Sequence, residues 1–123
     1  MKLKYFLNLG IAAILLFSCA AKVPVATTNP ANLKEIVNDP ETTIVDVRIP
    51  EQFNEKTAKG AVNIPLAKIE DNIDFFKKQK KVVLFCNRGI QAQQALDILK
   101  KNGVENVYFG KTLNNVEAIQ NEK

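Results

Sequence analysis

The 123-residue chain predicts an α/β domain: a mostly parallel central sheet of about five short strands with helices on both faces. Three observations lead there. Short apolar runs recur at Thr43–Val47, Ala61–Ile64, Val82–Phe85 and Val104–Phe109. Segments with apolar residues at helical spacing separate them. Val82-Val83-Leu84-Phe85 is apolar at every position, as suits a strand covered on both sides rather than one with a wet face.

The domain is expected over residues 32–123, behind two segments of another kind. Residues 1–18 carry a short basic start, Lys2 and Lys4, then the mostly apolar stretch Leu7 to Phe17. That is the layout of a secretory signal, with an apolar stretch too short to span a membrane comfortably. Its ending, Leu16-Phe17-Ser18-Cys19, resembles the lipobox of bacterial lipoproteins, which implies cleavage before Cys19 and lipid on that cysteine. Residues 19–31 are small, polar or proline and read as a flexible tether. The expected location is therefore the bacterial cell envelope, held to a membrane through the N-terminal lipid and facing the periplasm.

Within the domain, Asn29-Pro30 starts a helix that Asp39-Pro40 stops, with Leu33, Ile36 and Val37 on one face. The β-branched run Thr43–Val47 is a strand leading into Arg48, and Pro50-Glu51-Gln52-Phe53 a short helix. Gly60 opens the brief strand Ala61–Ile64, which Pro65 closes. Leu66 to Gln79 is helical in character, as one helix or as two broken near Asp71-Asn72. Ile90, Ala95, Ile98 and Leu99 mark a helix ending at Asn102-Gly103. Val104–Phe109 is the last strand and Leu113–Gln120 a closing helix.

Charge excludes some partners. The formal net charge is +4, and it falls to +2 once Lys2 and Lys4 leave with the signal. Lys77-Lys78 and Lys80-Lys81 form the one dense basic cluster, read as a solvated corner, so nucleic acid is not an expected partner. The chain has no histidine, which removes a Cys–His nucleophile pair, a His-ligated metal and a histidine base. No metal or cofactor is expected. There are two cysteines, so lipid on Cys19 leaves Cys86 as the one thiol of the mature chain, without a disulfide partner.

Cys86 ends the apolar strand and precedes Asn87-Arg88-Gly89-Ile90-Gln91 and a helix. Unpaired backbone N–H groups at such a turn form an anion nest and favour a thiolate. Arg88 adds positive charge, and Gly89 lets the backbone curl back. Asp46 and Arg48 lie at the end of another strand and are expected on the same rim. On pattern alone Cys86 is equally readable as a buried structural cysteine. Disulfide exchange of the thioredoxin kind lacks its Cys-x-x-Cys. Phosphate-ester chemistry lacks the arginine six positions after the cysteine, where Ala92 stands.

Four segments, taken in order, resemble a single-domain rhodanese, a sulfurtransferase. They are Ile44-Val45-Asp46-Val47-Arg48, Pro50-Glu51-Gln52-Phe53, Lys59-Gly60-Ala61-Val62-Asn63-Ile64-Pro65 and Val83-Leu84-Phe85-Cys86-Asn87-Arg88-Gly89. The resemblance implies a rhodanese-like fold and a Cys86 that takes sulfur from a small anionic donor such as thiosulfate. A Cys86 persulfide then yields the sulfur to cyanide or a thiol. It also implies that residues 87–91 hold the anion and that Asp46 braces the loop. Arg48 either braces it too or faces the donor. Lys111, near the last strand end, is a minor candidate for attracting anions. The alternative on the same scaffold is a non-catalytic binding or sulfur-carrier module. Two departures stand out. Lys56-Thr57-Ala58 replaces the Gly-His-Ile usual in the family, and Gln91 stands where thiosulfate-using members commonly have arginine.

Overall fold

The computed structural model describes residues 30–122. The expected leader, the lipid site at Cys19 and the tether through Asn29 lie outside the described residues. The elements run α1 (Pro30–Val37), β1 (Thr42–Asp46), α2 (Pro50–Glu55), β2 (Val62–Asn63), two 3₁₀ turns (Leu66–Lys68 and Glu70–Asn72), α3 (Ile73–Lys78), β3 (Lys81–Cys86), α4 (Ile90–Lys101), β4 (Val107–Thr112) and α5 (Leu113–Glu122). Among the described residues the sheet has four strands rather than about five, in the order β2-β1-β3-β4, and every pairing is parallel.

The core divides along the two faces of the sheet, as strand periodicity requires. Val45 and Val47 from β1 and its exit, with Val82, Leu84 and Cys86 from β3, pack against Ile69, Phe76, Ala92, Ala95 and Leu99 under α3 and α4. Ile44, Val83 and Phe85 point the other way, against Val37 of α1 and Leu113 and Val116 of α5. The uninterrupted apolar run of β3 thus serves two cores at once, which is why it shows no polar alternation.

Three expected elements take a different form. The stretch Leu66–Gln79 is helical only from Ile73. Before it, the bonds Lys68 N–H to Pro65 O (2.8 Å) and Asn72 N–H to Ile69 O (3.0 Å) span three residues and wind two 3₁₀ turns. The strand Ala61–Ile64 shortens to Val62–Asn63, although Ile64 and Leu66 still donate to Asp46 O and Val47 O.

The last strand starts at Val107 rather than Val104, because Val104 is spent on ending α4. Val104 N–H bonds Leu99 O at 2.9 Å and Gly103 N–H bonds Lys100 O at 3.1 Å, with Gly103 at φ 84°. This is a Schellman closure, with buried Val104 as its apolar contact.

β4 also runs past Phe109 through an irregular register: Leu84 pairs with Phe109, but Phe85 pairs with Lys111. Gly110 is the extra residue of this bulge, and Lys111 beside it sits at φ 70°. A Cβ on Gly110 would lie 2.7 Å from Val83 Cγ1 and 2.9 Å from Leu84 O. At the other end of the sheet, exposed Lys80 pairs with Glu41, and Lys81, the first residue of β3, pairs with Asp39. The Lys81 ammonium holds the Asp39 carboxyl below its ordinary value through that hydrogen bond, helped by the Glu41 N–H.

Gly110→Ala is expected to destabilise the domain by about 1–3 kcal/mol, because a backbone oxygen and two core valines must give way. Urea unfolding of the wild type and the variant measures this; an unchanged midpoint would contradict the close packing at the bulge.

Candidate active site

The parallel register of β1 and β3 brings Asp46 opposite Phe85, and Val47 N–H donates to Phe85 O at 3.0 Å. The chain therefore leaves β1 as Arg48 beside the point where it leaves β3 as Asn87. Asp46, Arg48 and the cysteine loop gather on one rim, at the carboxyl ends of the strands.

Cys86 is the last residue of β3 and only 2% exposed. The backbone turns back over it. Gly89, at φ 91°, caps α4 and sends its N–H to Cys86 Sγ at 3.0 Å. Ala92 N–H reaches the same sulfur at 3.3 Å. Two donors converging on one sulfur stabilise negative charge there. The N–H groups of Ile90 and Gln91 belong to the first turn of α4, which has no earlier carbonyls to bond, so they add to the positive end of that helix. On its other side Sγ lies 3.9 Å from Lys111 O, a carbonyl turned toward the thiol by the bulge in β4. The side chain of Lys111 is exposed.

An open cavity of about 330 Å³ lies over the sulfur, lined by Gln52, Cys86, Asn87, Arg88, Ile90 and Gln91. Asn87, Arg88, Ile90 and Gln91 are exposed, while Gly89 is buried beneath the loop. Sequence reasoning missed Gln52, which α2 contributes from outside the cysteine loop.

Beneath the loop lies a buried ion pair. Asp46 is fully buried and Arg48 is 4% exposed. Arg48 Nε donates to both carboxylate oxygens at 2.9 and 3.1 Å, and Nη2 to Oδ2 at 2.7 Å. The Arg48 N–H and the Thr57 hydroxyl complete the carboxylate's partners at 3.0 and 2.8 Å. The Asp46 hydrogen bonds, acting against burial, raise the Arg48 guanidinium above its ordinary value. Its remaining donors reach Lys56 O, Gln52 O and Asn87 Oδ1, the last at 2.9 Å from Nη1. Arg48 thus points into the clamp under the loop and is not among the residues lining the cavity.

Lys56-Thr57, in the place of the expected Gly-His, supplies two of these contacts. Asn63 supplies another pair, donating from Nδ2 to Asp46 O and Arg48 O at 2.9 Å each. Neither Thr57 nor Asn63 carries a signal readable from sequence spacing, since both act through loop closure.

The chain's similarities point one way in fold. A family model described as a rhodanese-like domain matches residues 29–111. The thiosulfate sulfurtransferase PspE of Escherichia coli (strain K12) is 38% identical over 65 residues, covering 51% of this chain and 62% of that protein. The tRNA uridine(34) hydroxylase of Pelagibacter ubique is 31% identical over 100 residues, covering 77% of this chain but 33% of its own. The chain thus spans less than two thirds of the length of these relatives. Among solved structures, a rhodanese with anions from E. coli superposes with a TM-score of 0.56 at 34% identity, over 60% of this chain and 89% of that one. A human single-domain sulfurtransferase, TSTD1, shares the fold at a TM-score of 0.61 and 21% identity, over 80% of this chain and all of the other.

Replacing Arg48 with Met leaves the Asp46 carboxylate buried without its countercharge. A loss of about 3–5 kcal/mol is expected in denaturant unfolding. A loss below about 1 kcal/mol would mean that the pair does not hold this rim together.

Proposed function

The chain belongs to the rhodanese-like domain family, and on that premise we propose that it is a sulfurtransferase working through a persulfide on Cys86. The observation that carries this reading is the cysteine itself: Cys86 lines an open cavity and its Sγ accepts two backbone N–H bonds.

The reaction takes two displacements. The Cys86 thiolate attacks the outer sulfur of thiosulfate. A new Sγ–S bond forms, the donor's S–S bond breaks, and sulfite leaves with the electron pair. The acceptor, cyanide or a thiolate, then attacks the outer sulfur of the persulfide, and Cys86 departs as the thiolate it began as. Each step moves charge between atoms within reach of the same N–H cradle, which serves as a fixed dipole for the thiolate and persulfide anions. No C–H proton is removed, so the chemistry asks nothing of a histidine. Arg88 supplies one exposed positive charge at the cavity wall. Asp46 and Arg48 act beneath, holding Asn87 and with it the start of the loop.

The signal-like sequence of residues 1–18 and Cys19 support placing this activity at the cell envelope, with the domain tethered to a membrane by lipid. The similarity to tRNA uridine(34) hydroxylases favours a second reading, in which the domain is part of a nucleic-acid modification chemistry. A third outcome is a sulfur carrier, loaded at Cys86 without turnover.

One experiment separates sulfur transfer from the sulfur carrier. Intact-mass measurement after thiosulfate treatment is expected to show one added sulfur on the wild type and none on Cys86→Ser, with cyanide removing it catalytically. A sulfur that stays bound would identify the carrier; no added sulfur from thiosulfate or an organic persulfide would remove the sulfur-transfer reading.

Gln91→Arg is expected to raise kcat/KM for thiosulfate about tenfold, the worth of one charge-assisted contact. Steady-state kinetics with cyanide as acceptor measures it, and an unchanged value would mean that position 91 does not meet the donor.

A further inference from the structure

The cavity over Cys86 is lined in a way that fits one donor chemistry better than another. Three of its six residues end in a primary carboxamide: Gln52, Asn87 and Gln91. One is a cation, Arg88, and one is an aliphatic side chain, Ile90, which is 61% exposed at the first position of α4. The Asn87 amide is oriented from below. Arg48 Nη1 can only donate, so the atom it meets at 2.9 Å is Asn87 Oδ1, and this contact does not use the Asn87 Nδ2 donors.

Thiosulfate is a compact dianion. Its binding calls for concentrated positive charge, and beyond the backbone N–H groups the side chains of the lining offer one arginine, exposed to water that screens it. Carboxamides instead match amide groups, donor to acceptor and acceptor to donor. An exposed isoleucine beside them matches the aliphatic part of a small organic molecule.

We infer that the sulfur donor of this site is a small peptide-like organic persulfide, R–S–SH, with its amide groups on Gln52, Asn87 and Gln91 and its aliphatic portion on Ile90. This rests on the sulfur-transfer reading above and names its substrate. The Cys86 thiolate attacks the terminal sulfur, the Sγ–S bond forms and the donor's own S–S bond breaks. R–S⁻ leaves with the electron pair and takes the persulfide's proton, so R–SH departs and Cys86 keeps an anionic persulfide. The departing thiol group is neutral, in contrast to sulfite, and the N–H groups of Gly89 and Ala92 hold the charge that remains on the enzyme.

The test is single-turnover loading of the full domain, followed by intact mass, with glutathione persulfide and thiosulfate as the two probes. The expected result is loading by the persulfide at least about tenfold faster, with Ile90→Ser and Gln52→Ala each narrowing that ratio by about threefold or more. Loading by both donors with thiosulfate equal or faster overturns the inference and leaves sulfur transfer standing. A ratio that neither substitution moves also overturns it. Failure of both donors to load Cys86 overturns the sulfur-transfer reading, and this inference falls with it.

Discussion

The Asp46–Arg48 ion pair is the constraint on which the rim of this domain depends. A carboxylate and a guanidinium are taken almost wholly out of water, and such a pair is tolerated only when the remaining lone pairs and protons are also satisfied. Here they are, and the groups that satisfy them come from three places: Thr57 and Lys56 O from the segment after α2, Gln52 O from α2 itself, and Asn87 from the distant cysteine loop. Meeting the hydrogen-bond demand of two buried charges therefore fixes three chain segments relative to one another. Asn63 extends the arrangement by bonding the carbonyls of both charged residues, which ties β2 to the same point.

What the clamp holds is the start of a loop whose own backbone meets the sulfur. The sulfur is met by N–H groups rather than by a basic side chain. Gly89 permits the turn because its left-handed φ costs little without a Cβ. Across the sheet the bulge at Gly110 lets β4 shift register and carry Lys111 O toward the same sulfur. Lys111 is the one non-glycine among the described residues at positive φ, so the backbone beside the thiol is held in an uncommon conformation on both sides.

Much of this was legible in the linear chain. The helix and strand order, the apolar β3, the thiol at its end and the gathering of Asp46 and Arg48 with Cys86 on one rim follow from periodicity and from where parallel strands end. The errors have local causes. Val104 has the β-branched side chain of a strand residue, but its N–H is needed to close α4. Leu66–Asn72 has the spacing of a helix but winds as 3₁₀ turns, with Asn72 at φ −121° before α3 begins. In both places propensity was read correctly and backbone hydrogen bonding decided otherwise.

By itself, the sequence determined the class of fold, the single thiol of the described domain and the chemistry denied to it by the absence of histidine. These are properties of residue identity and of short-range spacing, and they need no knowledge of which elements touch. Only the tertiary structure decided that Arg48 turns inward to Asp46 and Asn87 rather than toward a donor, that Gln52 joins the cavity, and that Lys111 meets the sulfur through its carbonyl while its charge stays in water. Each of these depends on contacts between segments far apart in the chain, and the direction of a side chain or carbonyl at such a contact is set by the partners that burial requires it to find.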